Sequence, residues 1–330
     1  METKKYKLTD ETMTIYGRTL YRIEALMDFG DVKKGDKGGF VEKEENLSQS
    51  GDCWVYDDAM VFEDARIYGK AKIYDDAMVF EDARIYGNAR VLDNAVVRDN
   101  AKVYGNAAIY CDAKVYCNAT IYGDAKVYGD AKVYDNAKIC DYAEVYGKAE
   151  VYGNAKIYDN AEVYGKAKVY GNAQVHGDAV VYDNVRVYGN AKVYDYAEVY
   201  DKAWVYGNAE VFNNAQVYCN ALVIDKARVY SNAKVCDNAI VRGKANVYSH
   251  AEVCGNAEIA TDSDYMVFKN WWSSGRGCTW TKSNNMWKVG CFYGTGEELI
   301  EEAYKDSEKT GEEYEGVVKY VESIIVNGTI

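Results

Sequence analysis

The sequence predicts an all-β solenoid, a three-sided parallel β-helix that occupies residues 51–260. A valine or isoleucine recurs at every sixth position across residues 55–259, and alanine recurs in the same way across residues 59–257 with one exception. The segment YDDAMVFEDARIYG occurs at residues 56–69 and again, unchanged, at residues 74–87, an offset of 18 residues or three repeats. We therefore expect about eleven coils of 18 residues, each with three short strands and three corners.

A single repeat explains how such a coil forms. A typical repeat reads A-K-V-Y-G-N, as at residues 101–106. Alternation of side chains along a strand places alanine and valine on one side and lysine and tyrosine on the other. The interior of a three-sided coil is too narrow for tyrosine, so most of the 33 tyrosines should face outward. Pairs such as Gly-Asn and Asp-Asn tolerate turn conformations and are predicted to form the corners.

The repeat stops at both ends of the chain, where different structures are predicted. Residues 1–50 are interpreted as a small N-terminal β cap, and residues 261–330 as a C-terminal, tryptophan-rich α+β domain. In the latter we predict strands at residues 265–270, 278–282 and 286–293. Two helices should follow, each opened by the capping sequence T-G-E-E, at residues 295–298 and 310–313.

Composition limits the classes of partner. The net charge of −13 disfavours a general role on nucleic acid or on anionic membrane. The chain contains no apolar run of the ~18 residues that a membrane-spanning helix needs, and its start lacks the apolar core of a secretion signal. The cytoplasm is therefore predicted, which would be that of the host cell for a phage protein. In that compartment the nine cysteines, including Cys236 and Cys254 at an 18-residue spacing, are expected to be free thiols. No CxxC pair indicates a metal site, and no cofactor is expected.

The C-terminal domain holds the candidate ligand-binding site. Arginine and hydroxyl groups beside aromatic rings are a recurring way to hold an anionic or polar ligand. The alternative interpretation is an aromatic mini-core beside a polar turn. The residues of this candidate site are Trp271, Trp272, Ser273, Ser274, Arg276, Thr279, Trp280, Thr281 and Lys282.

Two apolar clusters interrupt the polar outer positions of one solenoid face. Exposed clusters of this kind usually mark contacts. Either the terminal regions cover them, or they form the interface of a homo-oligomer, a dimer or trimer. The first cluster comprises Met60, Phe62, Met78, Phe80 and Val96, and the second comprises Trp204, Leu222, Ile224 and Ile240.

Tyrosines also stack in register along the predicted faces. Ladders of identical residues on neighbouring strands stabilise a sheet by ~0.2–1 kcal/mol per pair. Alternatively, they could stack sugars or bases, with nearby cations adding contacts to an anionic ligand. The better candidate for such a ligand is a basic face formed by Arg66, Arg84, Lys102, Lys138, Lys156, Lys192 and Arg228 beside a tyrosine ladder.

The repeat resembles the left-handed parallel β-helix hexapeptide family, in which a small residue follows an aliphatic one by four places. Residues 28–51 resemble the N-terminal cap of uncharacterised bacterial and phage members that are labelled acetyltransferase-like. The resemblance implies a left-handed coil, and it implies that an acyltransferase would use a histidine at a subunit boundary. The histidines here are His176 and His250, and both are interpreted as drifted repeat positions.

Three functions follow from these observations. The leading prediction is a non-enzymatic, rigid scaffold that presents a C-terminal binding domain or assembles with itself. The second is a phage-encoded inhibitor that engages a host protein or sequesters a small anionic ligand. The third, from the resemblance, is a hexapeptide-type acyltransferase.

Overall fold

The structure, a computed structural model, describes residues 4–272, 275 and 277–327. It is a parallel β-solenoid of about 12 coils followed by a small region of sheet and helix, which confirms the predicted fold class. The chain divides into two compact units, residues 1–178 and 179–330. Each unit contains solenoid coils. The boundary lies within the repeat, where the composition does not change.

The N-terminal unit opens with a hairpin. Strands β1 (Tyr6–Ile15) and β2 (Arg18–Ala25) pair antiparallel, and β3 (Lys37–Val41) pairs with β2. A short 3₁₀ turn covers Glu44–Asn46. Two-residue strands then begin every six residues, from β4 (Trp54–Val55) to β24 (Gln174–Val175). The unit therefore changes from an antiparallel hairpin into the parallel repeat.

Strand β3 already belongs to the first coil, ahead of the predicted start at residue 51. It pairs in parallel with β5 (Met60–Val61), and Val41 lies beside Val61. Leu47 likewise forms a bridge with Ile67. Both spacings are 20 residues rather than 18, so this coil contains two extra residues. This coil therefore does not follow the 18-residue period, and the repeat pattern does not include it.

Inside the coils, alanine and valine or isoleucine fill a dry core, and nearly all are fully buried. The backbone N–H of each outward strand residue donates to a carbonyl of the next coil, as Lys102 N does to Ala119 O at 2.9 Å. Strands three apart along the chain are thereby joined in parallel. Each coil contacts only its neighbours, so stability accumulates coil by coil.

Aspartates at the corners have a specific structural role. Asp93 and Asp99 adopt positive φ angles of 58° and 57°, a conformation that costs most residues about 1–2 kcal/mol. Their carboxylates accept the backbone N–H groups of Cys111 and Cys117 in the next coil, each at 2.8 Å. The bond satisfies a corner donor that the strand ladder leaves unpaired, which explains why the corners favour aspartate as well as glycine.

The C-terminal unit repeats this geometry from β25 (Val180–Val181) to β38 (Glu258–Ile259), again with a strand every six residues. A 3₁₀ turn at Asp262–Asp264 follows. A four-stranded antiparallel sheet then forms from β39 (Tyr265–Lys269), β40 (Gly277–Thr281), β41 (Met286–Val289) and β42 (Phe292–Gly294). The single strand predicted at residues 286–293 is wrong, because the chain turns at Gly290, whose φ is 56°.

Two helices complete the C-terminal unit, α1 (Gly296–Asp306) and α2 (Glu308–Val326). The first capping box is confirmed, since Thr295 and Glu298 exchange side-chain and backbone hydrogen bonds of 3.2 and 2.8 Å. The second is wrong. Ser307 caps α2 by accepting from Thr310 N, so the second T-G-E-E sequence lies inside the helix.

The tyrosines face outward and stack in ladders, as predicted. Tyr86 and Tyr104 lie 4.7 Å apart between ring centroids, and Tyr128 and Tyr146 lie 4.8 Å apart, with planes within 6° of parallel. Each inner ring therefore has a neighbour on both faces. Such continuous ladders leave no gap in which a sugar or base could stack, which argues against that hypothesis wherever the ladder is unbroken.

The ladders should make the protein labile to alkali. Burial raises the pKa of ladder tyrosines, including Tyr86, Tyr104, Tyr110 and Tyr116. Because their folded pKa lies above the unfolded value of ~10, their contribution to stability is complete below that pH and is lost as the pH rises through the folded pKa. We expect tyrosinate absorbance to rise later than in N-acetyltyrosinamide, together with loss of the circular dichroism of the strands. A folded protein whose tyrosines all ionise at the free value would contradict this account.

Candidate functional site

The two ends of a parallel solenoid differ chemically. Strand N–H groups point toward the next coil, so the first coil leaves carbonyl oxygens unpaired and the last coil leaves N–H groups unpaired. Unpaired strand edges invite association with other chains. The first end therefore needs hydrogen-bond donors, and the second needs acceptors.

Side-chain donors occupy the amino-terminal end. The ammonium group of Lys5, which is only 3% exposed, donates to Cys53 O at 2.9 Å. The hydroxyl of Tyr6 donates to Leu47 O at 2.8 Å. The amide of Asn46 donates to two carbonyls of the following coil, each at 2.9 Å. These contacts explain why polar residues are buried in the N-terminal cap.

Side-chain acceptors occupy the carboxyl-terminal end, one on each solenoid face. Asn246 N donates to Asp262 Oδ1 at 2.6 Å, and Glu252 N donates to Thr279 Oγ1 at 2.9 Å. Glu258 N donates to Ser283 Oγ at 2.7 Å. The C-terminal sheet and the turns beside it thus provide the hydrogen bonds that a further coil would have made.

A cleft of about 420 Å³ opens beside this capped end, within the C-terminal unit. One wall is the last corner of the solenoid, and the other is formed by β39. Its lining residues are Tyr248, Ser249, His250, Asp262, Tyr265, Val267, Phe268, Lys269, Gly275 and Gly277.

Close backbone packing shapes the floor of the cleft. A Cβ atom on Gly277 would lie 2.7 Å from His250 O, so only glycine lets β40 approach the solenoid corner this closely. Tyr265 is 7% exposed, and its hydroxyl donates to Asn246 O at 2.9 Å. Burial raises the pKa of Tyr265, so this donor stays protonated further into the alkaline range than an exposed tyrosine. The floor is therefore rigid and already hydrogen-bonded.

The cleft presents aromatic and basic groups beside the exposed carboxylate of Asp262, which accepts hydrogen bonds from Asn246. The Tyr248 ring is 44% exposed and meets the Tyr265 ring edge-on at 6.5 Å. His250 and Lys269 are both exposed. Among the residues that the structure describes, no carboxylate forms an ion pair with Lys269. An aromatic surface beside a cation suits a ligand with a ring or an apolar body and a negative charge.

None of the described residues of the candidate ligand-binding site lines this cleft. Ser273, Ser274 and Arg276 lie outside the described residues. Trp280 is a core residue, 1% exposed, in a cluster with Trp287 and helix residues, and its Nε1 donates to Asn285. Thr281 is buried and donates to Asn284 within a turn, whereas Trp271 is 74% exposed. Trp272 packs edge-on against Tyr314 at 5.2 Å, and Lys282 is exposed.

Neither the repeat nor the hydrophobic pattern pointed to most of the cleft. Its walls combine a solenoid corner with residues of β39, a strand that lies outside the repeat. His250 was singled out only as a departure from the repeat. Thr279, a predicted ligand-binding residue, accepts the backbone N–H of Glu252 at the last solenoid strand.

The two apolar clusters have different surroundings. Phe62 is 1% exposed and packs in a core with Leu20 and Phe40 of the N-terminal cap, with Met60 and Phe80 against it. Met78 and Val96 are half-buried. In the second cluster, Leu222, Ile224 and Ile240 are also half-buried, and Arg186 lies over the Trp204 ring at 4.7 Å. Self-association through this second cluster stays a prediction.

The structure pairs two cysteines. Cys236 and Cys254 form a disulfide with a Cα–Cα distance of 4.8 Å, so the prediction of free thiols is wrong for this pair. Parallel stacking of adjacent coils sets that distance, which lies in the range that disulfides require. Asp237 lies close to both sulfur atoms, but the disulfide occupies the sulfurs that a metal ion would need.

Comparison with known proteins supports a repeat-family relationship for part of the solenoid. A family model described as the YdcK beta solenoid repeat matches residues 83–99. The chain is also similar to the "Uncharacterized acetyltransferase YdcK" of Escherichia coli (strain K12), at 37% identity over 79 residues. That match covers 21% of this chain and 24% of the relative, about a quarter of the relative's length. No helix in the described part of the chain is both long and apolar enough to cross a membrane.

Proposed function

We propose that this chain is a non-enzymatic binding protein, in which a rigid, end-capped solenoid supports a recognition cleft in the C-terminal unit. The observation that supports the proposal is the cleft itself. Its floor is fixed by hydrogen bonds between the cap and the last coil, and it leaves the Tyr248 ring and the Lys269 ammonium group available. The ligand is an anionic molecule, or an acidic segment of a partner protein, with a ring or apolar part that contacts Tyr248.

Two matched charge reversals test the proposal. Lys269→Glu changes the cleft, whereas Lys309→Glu makes the same change on an exposed residue that does not line it. Native mass spectrometry would measure what each tagged protein retains from bacterial lysate. We expect the wild-type and Lys309→Glu proteins to retain the same bound species, and Lys269→Glu to lose at least nine-tenths of it. Equal retention by all three proteins would contradict the cleft as the binding site.

A second function has its own support. His250 lines the cleft, and the partial relative is named an acetyltransferase. The expected role of the imidazole would be that of a general base, as the hexapeptide resemblance implies. Release of free coenzyme A from acetyl-CoA, measured with a thiol reagent, separates the two functions. Turnover by the wild-type protein that is abolished in His250→Ala would replace the non-enzymatic proposal.

A further inference from the structure

One tyrosine ladder of the N-terminal unit has a missing ring. On the basic face, Tyr86, Tyr104 and Tyr122 stack at 4.7 and 5.1 Å. Two coils after Tyr122 the stacking resumes, and Tyr158 lies 4.5 Å from the His176 ring. Cys140 occupies the position between them. Its side chain is much shorter than a tyrosine and leaves the place of one ring unfilled.

The gap has the dimensions of an aromatic ring. Strands of adjacent coils lie about 4.8 Å apart. Tyr122 and Tyr158, the ladder neighbours of Cys140, are therefore separated by about 9.6 Å along the ladder. That spacing accepts one planar ring with a stacking distance close to those seen elsewhere on the same face. A groove of about 340 Å³ lies here, lined by Tyr122, Lys138, Cys140, Asp141, Lys156, Tyr158 and Gln174.

The intact ladders show what the far end of an inserted ring would meet. The Tyr128 and Tyr146 hydroxyls each donate to the glutamate 16 residues later, at 2.8 Å. The Tyr158 hydroxyl contacts Gln174 in the same way, at 3.3 Å. From position 140, the residue 16 places later is Lys156. The outer end of the gap therefore faces an ammonium group rather than a carboxylate.

The charge of the gap is positive. Lys138 and Lys156 are exposed, and across the described residues neither forms an ion pair with a carboxylate. The floor is uncharged, because burial raises the pKa of the Cys140 thiol to about 11. Asp141 is the acidic residue among those that line the groove, and its Oδ2 accepts from the Cys140 thiol at 3.3 Å.

We propose that this gap is a binding site for a small aromatic carboxylate, whose ring takes the place of the missing tyrosine between Tyr122 and Tyr158 and whose carboxylate pairs with Lys156. Both ring faces would be covered by tyrosine, which offset stacking favours. The charge-assisted hydrogen bond to lysine selects the anion over a neutral ring. The site lies in the N-terminal unit, so it is independent of the cleft proposed above.

A substitution that fills the gap provides the test. Cys140→Tyr would complete the ladder with the side chain found at the neighbouring positions. Leu92→Tyr is the matched control, because Leu92 interrupts another ladder, between Tyr74 and Tyr110, and lies away from this groove. The probe is 4-hydroxybenzoate, and its binding is measured by saturation-transfer NMR titration on the full chain. We expect the wild-type and Leu92→Tyr proteins to bind equally, and Cys140→Tyr to bind at least tenfold more weakly.

Two further comparisons address folding and charge. Cys140→Ala leaves the gap open, so binding should persist at least at the wild-type level even if Cys140→Tyr fails to fold. Lys156→Gln should weaken the binding of 4-hydroxybenzoate about tenfold and leave the binding of the neutral 4-hydroxybenzamide unchanged. Absence of saturation transfer to the wild-type protein would overturn the proposal. Undiminished binding of 4-hydroxybenzoate by a folded Cys140→Tyr protein would also overturn it. An equal loss of affinity for the acid and for the amide in Lys156→Gln would do the same.

Discussion

Replacing the three side-chain acceptors at the carboxyl-terminal end should convert the protein from a discrete species into one that associates through its open edge. In the variant Asp262→Ala/Thr279→Ala/Ser283→Ala, the N–H groups of three strands lose their partners. A row of unpaired N–H groups is a template for the carbonyl edge of another chain. Light scattering coupled to size-exclusion chromatography should therefore show a mass that increases with concentration.

The same variant should also lose stability, chiefly through one residue. Thr279 is 1% exposed, so the Glu252 N–H beside it has little access to water once the hydroxyl is removed. Leaving such a donor unsatisfied costs about 1–3 kcal/mol. The control is Ser263→Ala, which removes an exposed hydroxyl from the same turn. A triple variant with the mass and stability of this control would show that the C-terminal region does not protect the solenoid edge.

A charge placed inside the solenoid should unfold the surrounding coils. Val133 is fully buried, whereas its strand neighbour Lys132 is exposed. Val133→Lys forces an ammonium group into a core of alanine and valine, where burial lowers a lysine pKa by up to ~5 units, which corresponds to a cost of up to about 7 kcal/mol. Because coils contact only their neighbours, the loss should spread from this point along the unit.

The exposed neighbour provides the control for that experiment. Lys132→Val changes the outer side of the same strand and should alter the free energy of unfolding by less than about 0.5 kcal/mol. Thermal unfolding followed by circular dichroism would compare the two variants. If both unfolded at the wild-type temperature, the assignment of interior and exterior positions would be wrong.

The sequence predicted the regular part of this fold because its physical causes repeat. Val55 and every sixth residue after it face the same interior. The same preference for a β-branched apolar residue therefore recurs in every repeat. The C-terminal domain offers no such repetition. Its strands were located to within a few residues, but the turn at Gly290 and the Ser307 cap depend on single backbone conformations that a hydrophobic pattern does not encode.

The candidate sites were less predictable for a related reason. Tryptophan and threonine in the C-terminal domain fit a ligand site and a structural core equally well by composition. Only tertiary packing distinguishes them, as for Trp280 in its core and Thr279 at the strand edge. The gap at Cys140, by contrast, is visible in the sequence as one short residue in a column of tyrosines. That the gap has room for a ring, and that its outer end faces Lys156, follows only from the ring spacing and the direction in which the rings lean.

Amide hydrogen exchange in the wild-type protein tests the end-capped solenoid most directly. The amides of Asn246, Glu252 and Glu258 belong to the last strand of each face, and in the structure all three donate to side-chain oxygens. We expect them to exchange as slowly as amides of inner coils such as Leu222, which donate to backbone carbonyls. Rapid exchange at these three positions beside protected inner coils would contradict the account, because the last coil would then be open.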